Sequence, residues 1–453
     1  MNATEFTSFV LDHWVSFSLL TVFCTILAYL CVRKIAVAGI FDPIHFTYTF
    51  TYGTTYATVV SLYLNGYIKN YLFLMVASYG VLFVVLLNVF SRMNTHHFRR
   101  LVKVLLTPPD TGRFEFMVTL LIYFLISAYV IHSIGFGLFA ATNRFDINRG
   151  YGVFVRILDL FRLFIIAYST VFLVQRHHRK RSGDLTQYVC YALLLFFILY
   201  SSILNGAKAA LLESFFAVIV ATTLKSGARV KFGFFKTLAL VSAVMVFAVL
   251  GLMINLGKNN VSMSGGSQYV GGVPIIVERF VDRILANGNQ SYMSLPNEVI
   301  ERIQTDSVFV RFLAPIVGTT KLSSLLGYNV GDYSVGRQII LYYDPSLTVA
   351  GGPTSHFDLF AYKYFGTFGG VFFIAYIAFV IGMIYGELRA ALTDQYASVF
   401  YISLLTTLAI RSMSIIMEPT TGLAYVLDVF IVFFVLKAIG MLVRASVGSG
   451  KHR

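Results

Sequence analysis

Two arginines four residues apart, Arg279 and Arg283, stand in the stretch Gly272 to Asn287, where Ile276, Val277, Phe280, Val281, Ile284 and Leu285 recur at helical spacing. The pattern predicts an amphipathic helix on a membrane surface, with Glu278, Arg279, Asp282 and Arg283 on its polar face. Side-by-side guanidiniums repel by a few tenths of a kcal/mol, and a bound diphosphate would reverse that sign. A solvated face neutralised by Glu278 and Asp282 accounts for either arginine equally well. A second group, Arg156, Asp159 and Arg162, falls inside one apolar run at intervals of three. One internal ion pair would satisfy Asp159 and one arginine, leaving the other in need of a partner or a hydrated cavity. Asn205-Gly206-Ala207-Lys208 opens a further apolar run, where free N–H groups and a lysine can cradle a phosphate, with Glu213 deeper as a partner for the lysine. Snorkelling of Lys208 toward the interface explains it as well.

His356 follows Gly351-Gly352-Pro353-Thr354-Ser355 and precedes an apolar run, so it is expected at a helix N-terminus capped by Thr354 or Ser355. There the helix dipole favours the neutral imidazole, which can take a proton from a sugar hydroxyl; a structural hydrogen-bonding role is the competing reading. Arg144 and Arg149 lie in a polar connection, Arg411 lies within an apolar run, and Arg337 and Asp344 belong to a long polar segment. These basic residues point to an anionic partner such as a phosphate or an acidic sugar.

The elements that must hold them are membrane helices. Of 453 residues 57% are hydrophobic and only 12% charged, with a mean hydropathy of +0.75, which excludes a disordered chain, a disulfide scaffold and an ordinary soluble enzyme. At about 20 apolar residues per span there is room for about ten to twelve helices. Eleven spans are expected, at 11–32, 44–64, 70–90, 115–135, 153–174, 186–204, 207–223, 235–255, 364–385, 396–415 and 420–441. The fold class is therefore all-α and polytopic, with spans one to eight in residues 1–255, a large external loop at 256–355, and spans nine to eleven in 356–453.

The net charge of +14 is divided into short clusters between spans, a topology signal rather than a nucleic-acid stripe. Arg33-Lys34, the Arg92 to Arg113 group, the Arg176 to Arg181 group, the Lys225 to Lys236 group, Arg389 and Arg444 all fall on one side, so the N-terminus is expected outside and the C-terminus inside. No basic region precedes the first apolar run, and no cleaved signal is expected. The three cysteines lie within apolar runs, with no spacing that suggests zinc or a structural disulfide. No phosphate-binding loop and no DxD nucleotide-sugar motif occurs.

The architecture resembles the Wzy-type O-antigen and oligosaccharide repeat-unit polymerases of bacterial envelopes. About eleven spans, a large loop before the third-last span and an arginine-bearing loop about four spans in carry the likeness. Locally, Asn205-Gly206-Ala207-Lys208-Ala209-Ala210-Leu211 resembles the start of the family's central helix, and Val281-Asp282-Arg283-Ile284 its arginine segment. The stretch Ser355 to Gly370 is similar to a region shared with O-antigen ligases, in which a histidine is taken as the base. The resemblance implies a metal-independent, cofactor-free membrane glycosyltransferase of the polymerase/ligase type. It would join undecaprenyl-diphosphate-linked oligosaccharides at the periplasmic face of the inner membrane, with a chain-length regulator as a partner and no nucleic acid. His356 and Arg283 become the expected catalytic pair, and Arg279, Lys208, Arg144, Arg149, Arg156, Arg411 and Arg337 the expected diphosphate- and sugar-binding residues. An O-antigen ligase and a lipid-linked oligosaccharide flippase or transporter are the alternatives.

Overall fold

Inside a bilayer every backbone N–H and C=O must find its partner within the chain, so long apolar runs fold as helices. The computed structural model describes residues 1–136, 150–179, 185–205, 208–228, 275–348, 351–394 and 396–449, and every regular element among them is helical. Nine helices among the described residues are long and apolar enough to cross a membrane. A short helix α1 (Ala3–Asp12) precedes the first of these, α2 (Trp14–Val32), which falls on the first expected span at 11–32. Asn2 and Glu5 cap α1 reciprocally, each side chain meeting the other's backbone N–H at 2.9 Å.

The second expected span is a π-turn, His45–Phe50, running into α3 (Thr51–Leu64). Then come α4 (Asn70–Phe90), a short amphipathic α5 (His96–Leu106), and α6 (Arg113–Ile134). Next are α7 (Gly152–Arg179), α8 (Leu185–Asn205) and α9 (Lys208–Ser226). The expected span at 235–255 lies outside the described residues, as does the loop that carries Arg144 and Arg149.

The long loop is helical from residue 275 onward: α10 (Ile275–Leu285), α11 (Asn289–Ser294), α12 (Val299–Arg302), α13 (Val308–Val317), α14 (Thr319–Leu326) and α15 (Val335–Tyr343). It packs on the helices beside it. The Thr55 hydroxyl on α3 donates to the Asn287 carbonyl at 2.8 Å, and Tyr292 stacks on Phe6 of α1 with centroids 4.1 Å apart. The last spans are α16 (Phe357–Thr393), then α17 (Val399–Ser412) with a short α18 (Ser414–Met417), and α19 (Pro419–Ser449).

At 37 residues α16 would be about 55 Å long if straight, well beyond the hydrocarbon thickness of about 30 Å. It bends at Gly366, whose φ of +66° suits a residue without Cβ; the Tyr79 hydroxyl reaches the freed carbonyls of Gly366 and Thr367 at 3.1 and 2.7 Å. Helix α17 is the centre of the bundle, buried from Phe400 to Ser412, whereas α2, α6 and α8 turn large apolar side chains outward as lipid-facing helices do.

Basic residues expected on one side of the membrane meet at one end of the bundle. Arg389 donates to the carbonyls of Lys34 and Ser91, Arg99 pairs with Glu387 at 2.8 Å, and Arg444 pairs with Asp110 at 2.6 Å. Nearby the buried Asp42 holds the segment 37–44 in place. It accepts N–H from Val37, Ala38 and Ile44 at 2.8, 3.0 and 3.1 Å and the Tyr385 hydroxyl at 2.7 Å.

Candidate functional site

His356 is the residue immediately before α16, as expected, but neither Thr354 nor Ser355 caps that helix. Ser355 turns instead to Glu418, donating its backbone N–H and its hydroxyl to the two carboxylate oxygens at 2.9 and 3.0 Å. The His356 N–H donates to the Met417 carbonyl at 2.9 Å, so the turn between α18 and α19 clips the chain on both residues. The clip holds His356 at φ +50° and ψ 156°, a region that non-glycine residues occupy at a cost of about 1–3 kcal/mol.

The imidazole is 1% exposed and stacks on Tyr52 of α3, with centroids 4.9 Å apart. Burial alone pushes its pKa down to about 3, so the ring is neutral near pH 7. Its Nδ1 meets the Gln290 amide of α11 at 2.6 Å, while Nε2 has no protein partner among the described residues. Turning that amide about its own axis exchanges its oxygen and nitrogen, and decides whether Nε2 carries the proton or the lone pair. Glu418 is itself lifted above the usual carboxylate range by burial, with the Ser355 bonds and the Arg311 charge pulling it back.

A second polar centre lies among α7, α9, α17 and α19. Arg162 pairs with Asp159 at 3.3 Å and with Glu213 of α9. Glu213, expected as a partner for Lys208, pairs with Arg162; the side chain of Lys208 lies outside the described residues. Arg156 pairs with Asp428 of α19 at 2.7 Å and donates to the Pro315 carbonyl of α13. The second arginine of α7 thus finds its carboxylate 272 positions away, on a helix that packs beside it.

Arg411 is different. It is 3% exposed, and its guanidinium lies over the Tyr425 ring, 3.7 Å from the centroid. Among the described residues it donates to the Arg156 carbonyl at 3.3 Å, and its Nε has no hydrogen-bond partner. Among the described residues no carboxylate stands within ion-pair distance of Arg411. Leaving a buried cation so is unfavourable by several kcal/mol unless an anion arrives. Arg411 and the His356 clip sit on one short stretch of chain, the end of α17 through Glu418.

The remaining candidates are spread out. α10 forms over Ile275–Leu285 as the spacing predicts, with Arg279 3.6 Å from Asp282 and Arg283 exposed; its Val277, Val281 and Ile284 face outward, while Ile275, Glu278 and Leu285 are buried. Arg337 is buried and reaches Asp332 at 3.2 Å and the Leu347 carbonyl, tying α15 to its own loop, and Asp344 accepts from Ser346 at 2.6 Å in a local turn. Gln290, Glu418, Tyr425 and Asp428 complete the two centres. Sequence reading passed over Gln290, Tyr425 and Asp428, although a carboxylate inside the last apolar run was a signal for Asp428.

These features define an all-helical protein that crosses a membrane many times. No family model matches the chain, no curated protein matches it, and no solved structure matches it.

Proposed function

We propose that the protein is a membrane glycosyltransferase that polymerises undecaprenyl-diphosphate-linked oligosaccharide repeat units at the periplasmic face of the bacterial inner membrane. The observation that carries the reading is Arg411, a buried guanidinium with no carboxylate within ion-pair distance among the described residues, Asp428 attracting it only from further off, a few residues from the clip that holds His356. Transfer of a glycan from a lipid diphosphate needs positive charge where the diphosphate leaves and a base where the acceptor hydroxyl attacks. Arg411 supplies the first. His356 supplies the second when Nδ1–H is donated to the Gln290 amide oxygen and Nε2 keeps its lone pair.

In that reaction the acceptor oxygen forms a bond to the anomeric carbon while the bond from that carbon to the diphosphate oxygen breaks. The hydroxyl proton passes to His356 Nε2, and the undecaprenyl diphosphate departs with its charge on Arg411. Substrate reaches Nε2 only by displacing side chains that now cover it, because the ring is 1% exposed. Arg279 and Arg283 on the exposed α10 are placed to meet the sugar or headgroup outside this centre.

The test is deletion of the gene in its native host, followed by complementation with wild type, Arg411→Ala and His356→Ala and a gel of the surface polysaccharide. Core bearing a single repeat in the null, and in both point variants, is the expected result. A null with uncapped core and accumulated lipid-linked sugar assigns ligation or flipping instead. Full ladders from both variants would overturn the site.

A further inference from the structure

At the opposite end of the bundle the turn between α4 and α5 and the last turns of α16 border an open cleft of about 590 Å³. Its walls carry Arg92, Arg99 and Arg389 together with His96, Met93 and Gly386. Two carboxylates stand near this place among the described residues: Asp394, which pairs with Lys103 at 3.7 Å, and Glu387, which is fully engaged. It holds Arg99 at 2.8 Å and accepts the hydroxyls of Thr95 and Tyr401 at 2.7 and 2.6 Å.

Arg389 is half-buried and donates to the carbonyls of Lys34 and Ser91 and to the Ser91 hydroxyl. The charge of Arg92 acts on it with like sign. Neither arginine has a carboxylate within ion-pair distance among the described residues. Helix α5, of 11 residues, opens at the same place, with the His96 N–H drawn to Asn94 Oδ1 and its first turn directed at the basic wall. Gly386 lets the two sides come together, since a Cβ there would lie 2.8 Å from Thr95 Cγ2 and 3.1 Å from the Ser91 carbonyl oxygen.

Like charges converging on a space of this size are stabilised by an anion. We propose that this cleft binds the phosphate of an anionic phospholipid headgroup from the adjacent leaflet. The lipid source follows from what borders the space. Met93 is exposed at its mouth, and the neighbouring α5 turns Leu101, Val104 and Leu105 outward on a face beside the exposed Arg100. That is the layout of a helix lying in the interface, apolar side to acyl chains and cations to headgroups. The inference is independent of the glycosyl-transfer reading, because it concerns the other end of the bundle and none of the residues invoked there.

The experiment is native mass spectrometry of the purified full-length protein in detergent, titrated with phosphatidylglycerol, with phosphatidylcholine, and with inorganic phosphate. Phosphatidylglycerol is expected to be retained over phosphatidylcholine, whose choline cation offsets its phosphate. Arg92→Gln removes one exposed cation without touching the packing, and should weaken phosphatidylglycerol retention by about tenfold, with Arg92→Glu weakening it further. If inorganic phosphate displaces the lipid with the same dependence on Arg92, the phosphate site stands and its natural occupant is a soluble anion. Equal retention of both lipids, unchanged in Arg92→Glu, would overturn the proposal.

Discussion

Acid should destabilise the protein through His356, by an amount the burial of the ring sets. In the folded chain burial holds its pKa near about 3, whereas an unfolded histidine titrates at about 6.5. Below pH 6.5 the unfolded chain therefore takes up a proton that the folded chain refuses. The stability this group contributes is present above pH 6.5 and is lost as pH falls toward 3, at up to about 1.4 kcal/mol per pH unit. Between pH 7 and pH 5 the loss is about 2 kcal/mol. The perturbation is His356→Asn, which keeps a polar group beside the Gln290 amide and cannot titrate. Equilibrium unfolding of both proteins in mixed micelles, from pH 5 to pH 7.5, isolates this group, since every other titrating residue is common to both. The gap between wild type and variant should move by about 2 kcal/mol in the variant's favour as pH drops to 5. A gap that stays constant would mean the ring accepts a proton while folded, and the neutral buried base would be refuted.

Gly336→Ala places a Cβ 1.7 Å from the Pro353 carbonyl oxygen, so the strap at 351–356 must shift; we expect a loss of about 1–3 kcal/mol in thermal unfolding and a weakened polysaccharide ladder. Glu387→Gln breaks the pair of a fully buried carboxylate with Arg99 and should destabilise by about 3 kcal/mol, read by the same unfolding assay. For Arg156 and Asp428, Arg156→Met and Asp428→Asn should each be more damaging than the two together, measured as a coupling energy in a double-mutant cycle.

The spanning helices were legible because a bilayer demands about 20 apolar residues in a row, and few other folds do. The span at 70–90 coincides with α4, and α10 follows the helical spacing of its apolar residues. Ends were less legible where a helix runs past the bilayer: α16 begins seven residues before the expected 364, because Gly366 permits a bend that hydropathy does not report. Helix α5 was concealed by its own charges, its basic residues being read only as a topology signal. The candidate site was legible in residue type and not in pairing. Asp159 and Arg162 are three apart and pair as the spacing allows, but Arg156 takes Asp428, and Glu213 takes Arg162, only because α7 packs against α19 and α9. Gln290 gave no signal at all, since its role depends on α11 being set down on α3 beside His356.

Arg411 separates a structural cation from a waiting one by the sign of a stability change. A guanidinium that holds the bundle together is strongly destabilising to remove, by about 3–5 kcal/mol for a broken buried pair. Arg411 has no carboxylate within ion-pair distance among the described residues, so it has its stacking on Tyr425, a 3.3 Å bond to the Arg156 carbonyl and a longer-range attraction to Asp428 to lose, against the penalty of keeping a charge out of water. Stacking of this kind is favourable by about 2 kcal/mol when desolvated, and the desolvation penalty is several kcal/mol, so Arg411→Met should leave stability unchanged or raise it. The same variant should lose the polysaccharide ladder, because methionine offers nothing to a departing diphosphate. Lost ladders with undiminished stability fit a group kept for a ligand. A drop of several kcal/mol would instead make Arg411 a structural member of the α7–α19 contact, and the charge for the leaving group would have to come from elsewhere in the chain.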